Sequence, residues 1–127
     1  MRTELLILGG LLLVSACRLG VAPEGSAAVS SLRFAPSAFD SFKRNAELRY
    51  TLGAPAQVRV LILRRDGAGG EALVKVLGAA LRETKGSHAI TWLGDTSEHL
   101  FAPAGTYIGA VECGGARFET PVEVFHF

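Results

Sequence analysis

Residues Ala89–Glu112 read AITWLGDTSEHLFAPAGTYIGAVE. Ala89–Trp92 is β-branched and aromatic, Gly94–Glu98 is rich in turn formers, and Pro103, Gly105 and Thr106 lead into a second extended run, Tyr107–Val111. The stretch therefore reads as two strands joined by a polar loop. It specifies architecture and contains no group of residues that by itself performs chemistry.

Working outward, the same character recurs. In Ala46–Leu52 the residues Ala46, Leu48, Tyr50 and Leu52 alternate with Glu47, Arg49 and Thr51, the pattern of a half-buried strand, and Gly53-Ala54-Pro55 ends it. Ala56–Arg64 puts Val58, Val60 and Ile62 on one face and Gln57, Arg59, Leu61 and Leu63 on the other. Upstream, Leu32–Phe34 is a short strand broken by Ala35-Pro36-Ser37, and Phe39–Phe42 is expected to return two aromatics to the core. Downstream of a loop at Arg65–Gly70, Ala72–Leu77 is a further strand. Gly78–Glu83 is ambiguous, because Ala79, Ala80, Leu81 and Arg82 would suit one helical turn too short to nucleate alone. Thr84–Ser87 turns the chain, Gly114-Gly115 signals a hairpin, and Arg117–Phe127 is the last strand, with Pro121 marking an edge or a bulge. About seven short strands separated by Gly or Pro, with no convincing helix, predict an all-β antiparallel sandwich over residues 31–127.

The 127 residues carry a formal net charge of +1, one domain's worth of chain with no electrostatic bias toward nucleic acid. The N-terminal block is different in kind. Arg2 precedes an apolar run, Leu5–Val14, about half the length a bilayer-spanning helix needs, and small residues close it at Val14-Ser15-Ala16-Cys17. Residues 1–16 thus have the form of a secretion signal. Val14–Cys17 resembles the lipobox of bacterial lipoproteins, which implies cleavage before Cys17 and acylation of its sulfur; two or three acyl chains anchor stably where one is marginal. Arg18 in place of aspartate favours the outer membrane by that family's sorting rule. The alternatives are an ordinary signal peptide with a chance cysteine and an uncleaved short membrane helix. Residues 17–30, mostly Ala, Gly, Ser, Pro and Val, read as a flexible tether with a reach of about 20 Å. The expected location is the bacterial cell envelope, facing the periplasm or the exterior.

Trp92 and Gly94, with Pro103-Ala104-Gly105-Thr106-Tyr107, resemble the Ig-like domain of the flagellar hook-capping protein family. The likeness extends to Tyr50-Thr51-Leu52, Pro55-Ala56, Val58–Leu63 and Lys85-Gly86-Ser87-His88, and covers roughly Phe34 to Val111. The chain departs from that family at Leu93, where aspartate is usual, in the Ser97–Leu100 loop, which lacks its glycine, and in Ala35–Asp40, which lacks its Asn, Asp and Gly. The resemblance implies a single Ig-like sandwich with a structural or adhesive role and no catalytic residues.

Individual residues support few other chemistries. The glycines of Arg65–Gly70 lack the Lys-Ser/Thr pair of a phosphate loop and no helix follows them. Asp95, Glu98 and His99 could meet around a divalent ion in one turn, against the plainer reading of a solvated loop. Cys113 is either a reactive thiol or, better, a small apolar residue ending a strand. Trp92 could stack on a sugar but is better read as core. No catalytic constellation, metal or cofactor is predicted. The sharper expectation concerns a surface: if Val58, Val60, Ile62, Tyr107, Val111, Val122 and Val124 face inward, then Leu61, Leu63, Ile108, Phe125 and Phe127 form an exposed apolar face that binds a partner. These observations predict a membrane-anchored, non-enzymatic accessory or scaffolding subunit that docks a protein, such as a membrane complex, through that face. The alternative is a carbohydrate- or ligand-binding surface module.

Overall fold

Alternation of apolar and polar residues, interrupted every ten residues or so by Gly or Pro, leaves strand pairing as the way to satisfy the backbone. The computed structural model describes residues 28–126. They form eight strands: β1 (Val29–Ala35), β2 (Ala38–Asp40), β3 (Ala46–Leu52), β4 (Ala56–Arg65), β5 (Glu71–Glu83), β6 (Gly86–Trp92), β7 (Gly105–Cys113) and β8 (Ala116–Phe125). Two sheets pack face to face, one ordered β1-β3-β6 and the other β2-β8-β7-β4-β5. All pairings are antiparallel except the short β2 on β8. The all-β sandwich expected from the sequence is therefore the fold.

The quoted stretch becomes β6, a long loop and β7, which lie in opposite sheets rather than side by side. β6 pairs with β3, from Ala46↔Trp92 to Leu52↔Gly86, while β7 sits between β4 and β8. Trp92 is fully buried and lies edge-on to Phe39 and Tyr107 at 5.8 and 5.5 Å between centroids, with Phe34 tilted at 6.4 Å. One indole thus contacts residues from β1, β2 and β7. Gly109 makes the close approach possible, since a Cβ there would lie 2.5 Å from the Phe34 ring.

Two differences from expectation have clear causes. Gly78–Glu83 is not a helical turn but the second half of β5, which pairs with β4 as far as Ala56↔Glu83 through three register shifts. A one-turn helical preference is worth less than a run of ladder bonds. Phe39 is core but Phe42 is not: β2 ends at Asp40, the chain turns with Lys43 and Arg44 N–H groups donating to the Asp40 carbonyl, and Phe42 is left 51% exposed. β1 begins at Val29, whose side chain is buried. Pro121, opposite Ile108, lies just short of the β2 pairing that begins at Glu123, on a part of β8 with no partner on its far side.

Candidate interaction surfaces

The two ends of the sandwich follow from the connections. The β3–β4 and β5–β6 crossings and the β7–β8 turn lie at the end where β1 begins, because Val29 pairs with Leu52, Leu52 with Gly86, and Arg59 with Glu112. The β2–β3 loop, the long β6–β7 loop, the β4–β5 hairpin turn and the end of β8 lie at the other.

At that far end the β6–β7 loop is held by its own side chains. The Trp92 indole N–H donates to the Asp95 carbonyl at 2.9 Å, and the Tyr107 hydroxyl donates to the Pro103 carbonyl at 2.6 Å. Arg64 donates to the same hydroxyl and lies 4.9 Å above the ring centroid, while burial still pushes the Tyr107 pKa up. Gly94 adopts φ 76°, and a Cβ on it would strike Ser41, so only glycine suits this tight approach of loop to loop. Asp95 is tied to Lys75 of β5, and the Ser97 N–H donates to the Val74 carbonyl, pinning the loop over that edge strand. Asp95, Glu98 and His99 do not assemble: among the described residues no three His, Cys, Asp or Glu groups are placed to hold a metal. The buried Trp92 presents no ring face to a sugar.

What this end does expose is apolar. Phe42, Leu93, Leu100 and Phe101 are 51, 51, 61 and 56% exposed. The Phe42 and Phe101 rings meet edge to face at 4.5 Å, and His126 stacks on Phe42 at 4.2 Å. Polar atoms without a hydrogen-bond partner lie in the same corner: Asp40 Oδ2, Ser41 Oγ and His126 Nε2, with Asp40 and Ser41 both buried. Asp40 Oδ2 has only the Lys43 ammonium, at 3.8 Å, while Oδ1 accepts from the Phe42 N–H. Large exposed rings beside unsatisfied buried acceptors are the features a contact surface completes. The sequence placed Phe42 in the core and did not single out Phe101, because both sit in loops where no periodicity assigns a face.

The expected docking face behaves otherwise. Register pairs Leu61 with Ala110 and Leu63 with Ile108 on the side of the large sheet away from the core, as the alternation predicts. Yet Leu61 and Leu63 are 2 and 3% exposed, Ala110 is fully buried, and the three form a second small cluster with Ile108 half-buried. Phe125 is half-buried and Phe127 lies outside the described residues. Leu61 and Leu63 are therefore not an open surface. Period 2 fixes the direction of a side chain but not what lies over it. The charged residues of this face are linked across strands: Arg117 reaches Glu112 and Glu71, Arg59 reaches Glu112, and Arg65 reaches Glu119 and Glu71. Its hydrogen bonds to Arg117 hold the Glu112 carboxyl below the usual carboxylate range, and Glu71 likewise.

At the end where β1 begins, Glu83 accepts from the Tyr50 hydroxyl at 3.4 Å and lies 3.2 Å from His88 Nδ1, while His88 Nε2 meets the Thr84 carbonyl at 2.7 Å. Burial, then the Glu83 charge, push the Tyr50 pKa up to about 12. Tyr50 is enclosed, so this is a structural cluster rather than an acid–base pair open to substrate. Cys113, buried at the end of β7, takes part in a disulfide, which removes the free-thiol reading. The chain's one other cysteine is Cys17, which, like the whole signal and lipobox segment, lies outside the described residues. Comparison with family models, with curated proteins and with solved structures returns no match to this chain.

Proposed function

We propose that the protein is a non-catalytic accessory subunit of the bacterial cell envelope, a lipoprotein anchored through acylated Cys17, whose sandwich docks a protein partner by its far end. The observation that carries the docking surface is the exposed Phe42–Phe101–His126 cluster with Leu93 and Leu100, set beside Asp40 Oδ2 and Ser41 Oγ, which accept no hydrogen bond. Aromatic rings that bury large area at low entropic cost, next to polar atoms awaiting a partner, are what hot spots consist of. The resemblance to a hook-capping Ig-like domain agrees with a scaffolding role, and the short apolar N-terminal run ending in Val14-Ser15-Ala16-Cys17 supports the anchor.

The test is Phe42→Asp with Phe101→Asp in the full chain, cross-linked in native membranes. Loss of a discrete adduct, with the melting temperature within a few degrees of wild type, supports the surface. An unchanged adduct pattern sinks it.

A second reading is carried by the disulfide at Cys113. One sulfur cannot hold both a lipid thioether and a disulfide, and the chain has two cysteines. In the second reading Cys17 is unacylated and the chain is an extracytoplasmic protein stapled by its disulfide, since such bonds persist in oxidising compartments. Intact mass separates them: a diacylglyceryl increment on a chain beginning at Cys17 favours the lipoprotein, and a gain of two hydrogens on reduction favours the staple.

A further inference from the structure

We propose that two copies of this chain join through the free edge of β6, antiparallel about a two-fold axis at Ala89, so that their three-stranded sheets become one continuous sheet. Each open sheet ends in strands whose outer N–H and C=O groups have no ladder partner, and such an edge accepts a further strand unless something blunts it. Among the described residues the edge strands are β1, β6, β2 and β5. Three of them are blunted. β1 is bulged between Ser30 and Arg33 and carries the exposed Arg33, and β2 has only three residues. β5 passes through three register shifts, carries Lys75 and Arg82, and has its Val74 carbonyl taken by the Ser97 N–H. β6 has none of these devices. Its seven residues pair with β3 without a shift, from Ala46↔Trp92 to Leu52↔Gly86, and they include no Lys, Arg, Asp, Glu or Pro. Among the described residues no strand lies on its far side and no turn or loop backbone group bonds to it.

The residues of β6 are complementary to their own copy. Ala89 is the midpoint of Gly86–Trp92, so an axis there overlaps the two strands along their whole length. On the outer face it sets Ser87 against the partner subunit's Thr91 and Ala89 against itself, and all three are exposed. The Ser87 hydroxyl already meets the Thr51 hydroxyl of β3 at 3.4 Å, so the pairing carries a row of hydroxyls across the joint. Toward the core it brings half-buried Ile90 beside half-buried His88. No like charges come opposite each other. The same operation on β5, about its middle residue Leu77, would set Glu71 against Glu83. The core also reaches the surface along this side: Val74, Leu77 and Leu81 of β5 and Ile90 of β6 pack against it yet stay half-buried, and a second sandwich alongside would cover them. A seven-residue edge is small beside a standard interface, so the dimer is reversible, with a dissociation constant on the order of 10 μM.

The experiment takes the full chain in detergent through a concentration series, reading mass by sedimentation equilibrium and amide exchange by mass spectrometry. The expected result is a monomer–dimer equilibrium, with exchange across residues 87–91 about tenfold slower where the dimer dominates. Ala89→Lys places two ammonium groups together at the axis and should weaken the dimer by about tenfold or more, while the neutral Ala89→Thr should keep it, both at unchanged melting temperature. Ser87→Glu combined with Thr91→Lys puts opposite charges across the axis and should give a dimer that high salt weakens. A monomer at every concentration overturns the proposal. So does a dimer that Ala89→Lys leaves intact, and so does exchange across 87–91 that is slow at every concentration, which would place another segment of the same chain on this edge.

Discussion

The two ends of the sandwich are made by the same strands but differ in the large apolar side chains they expose. Where β1 begins, the connections are tight: Gly53–Pro55, Thr84-Lys85 and Gly114-Gly115 reverse the chain within two or three residues. Such turns have little room to display side chains, and Lys85 is the one charged residue among them. At the far end the connections are long, above all the loop between Trp92 and Gly105, and they carry Leu93, Leu100 and Phe101 into solvent beside Phe42. The difference teaches that in a sandwich the strands settle the core, while loop length settles which end can present large apolar side chains.

That contrast can be broken or sharpened in order of size. Trp92→Ala should remove the ring that joins β1, β2 and β7 and cost about 3–5 kcal/mol in urea denaturation, loosening both ends together. Leu63→Asp should cost about 3 kcal/mol or more, because it buries an unpaired charge, whereas Phe101→Asp should cost under about 1 kcal/mol. Similar losses in the two variants would mean that the exposed and the enclosed apolar residues have been wrongly told apart. Tyr50 titrates near 12 in the folded chain against an ordinary value near 10, so its neutral form is favoured by folding. The stability it supplies is present below about pH 10 and falls through pH 12, by up to about 2–3 kcal/mol, and Tyr50→Phe should flatten that alkaline limb. Glu112 shifts the other way: its contribution is present above the ordinary carboxylate pKa and disappears as pH falls through its lowered value. Being partly exposed, it is screened, and Arg117→Ala should cost at most about 1 kcal/mol at neutral pH, less in high salt.

How much of this was legible in the sequence varies by element. β3 ran over Ala46–Leu52 as read, because strict alternation bounded by Gly53-Ala54-Pro55 leaves one register open to it. The outward direction of Leu61, Leu63 and Ile108 was legible for the same reason. Their burial was not, since accessibility depends on neighbours that period 2 does not contain. β5 was misjudged in its second half because Ala79–Arg82 carries helical preference that only pairing with β4 overrules. Phe42 and Phe101 belong to loops distant in sequence, and no local pattern announces that their rings meet. The contact surface was therefore the part least open to sequence reading.

The most direct test of this polarity places a photoreactive phenylalanine analogue at Phe101 or at Lys85 of the full chain in native membranes. The expected result is a discrete protein adduct from Phe101, lost with Phe42→Asp, and no such adduct from Lys85. The same protein adduct from both positions, or from Lys85 alone, would contradict it.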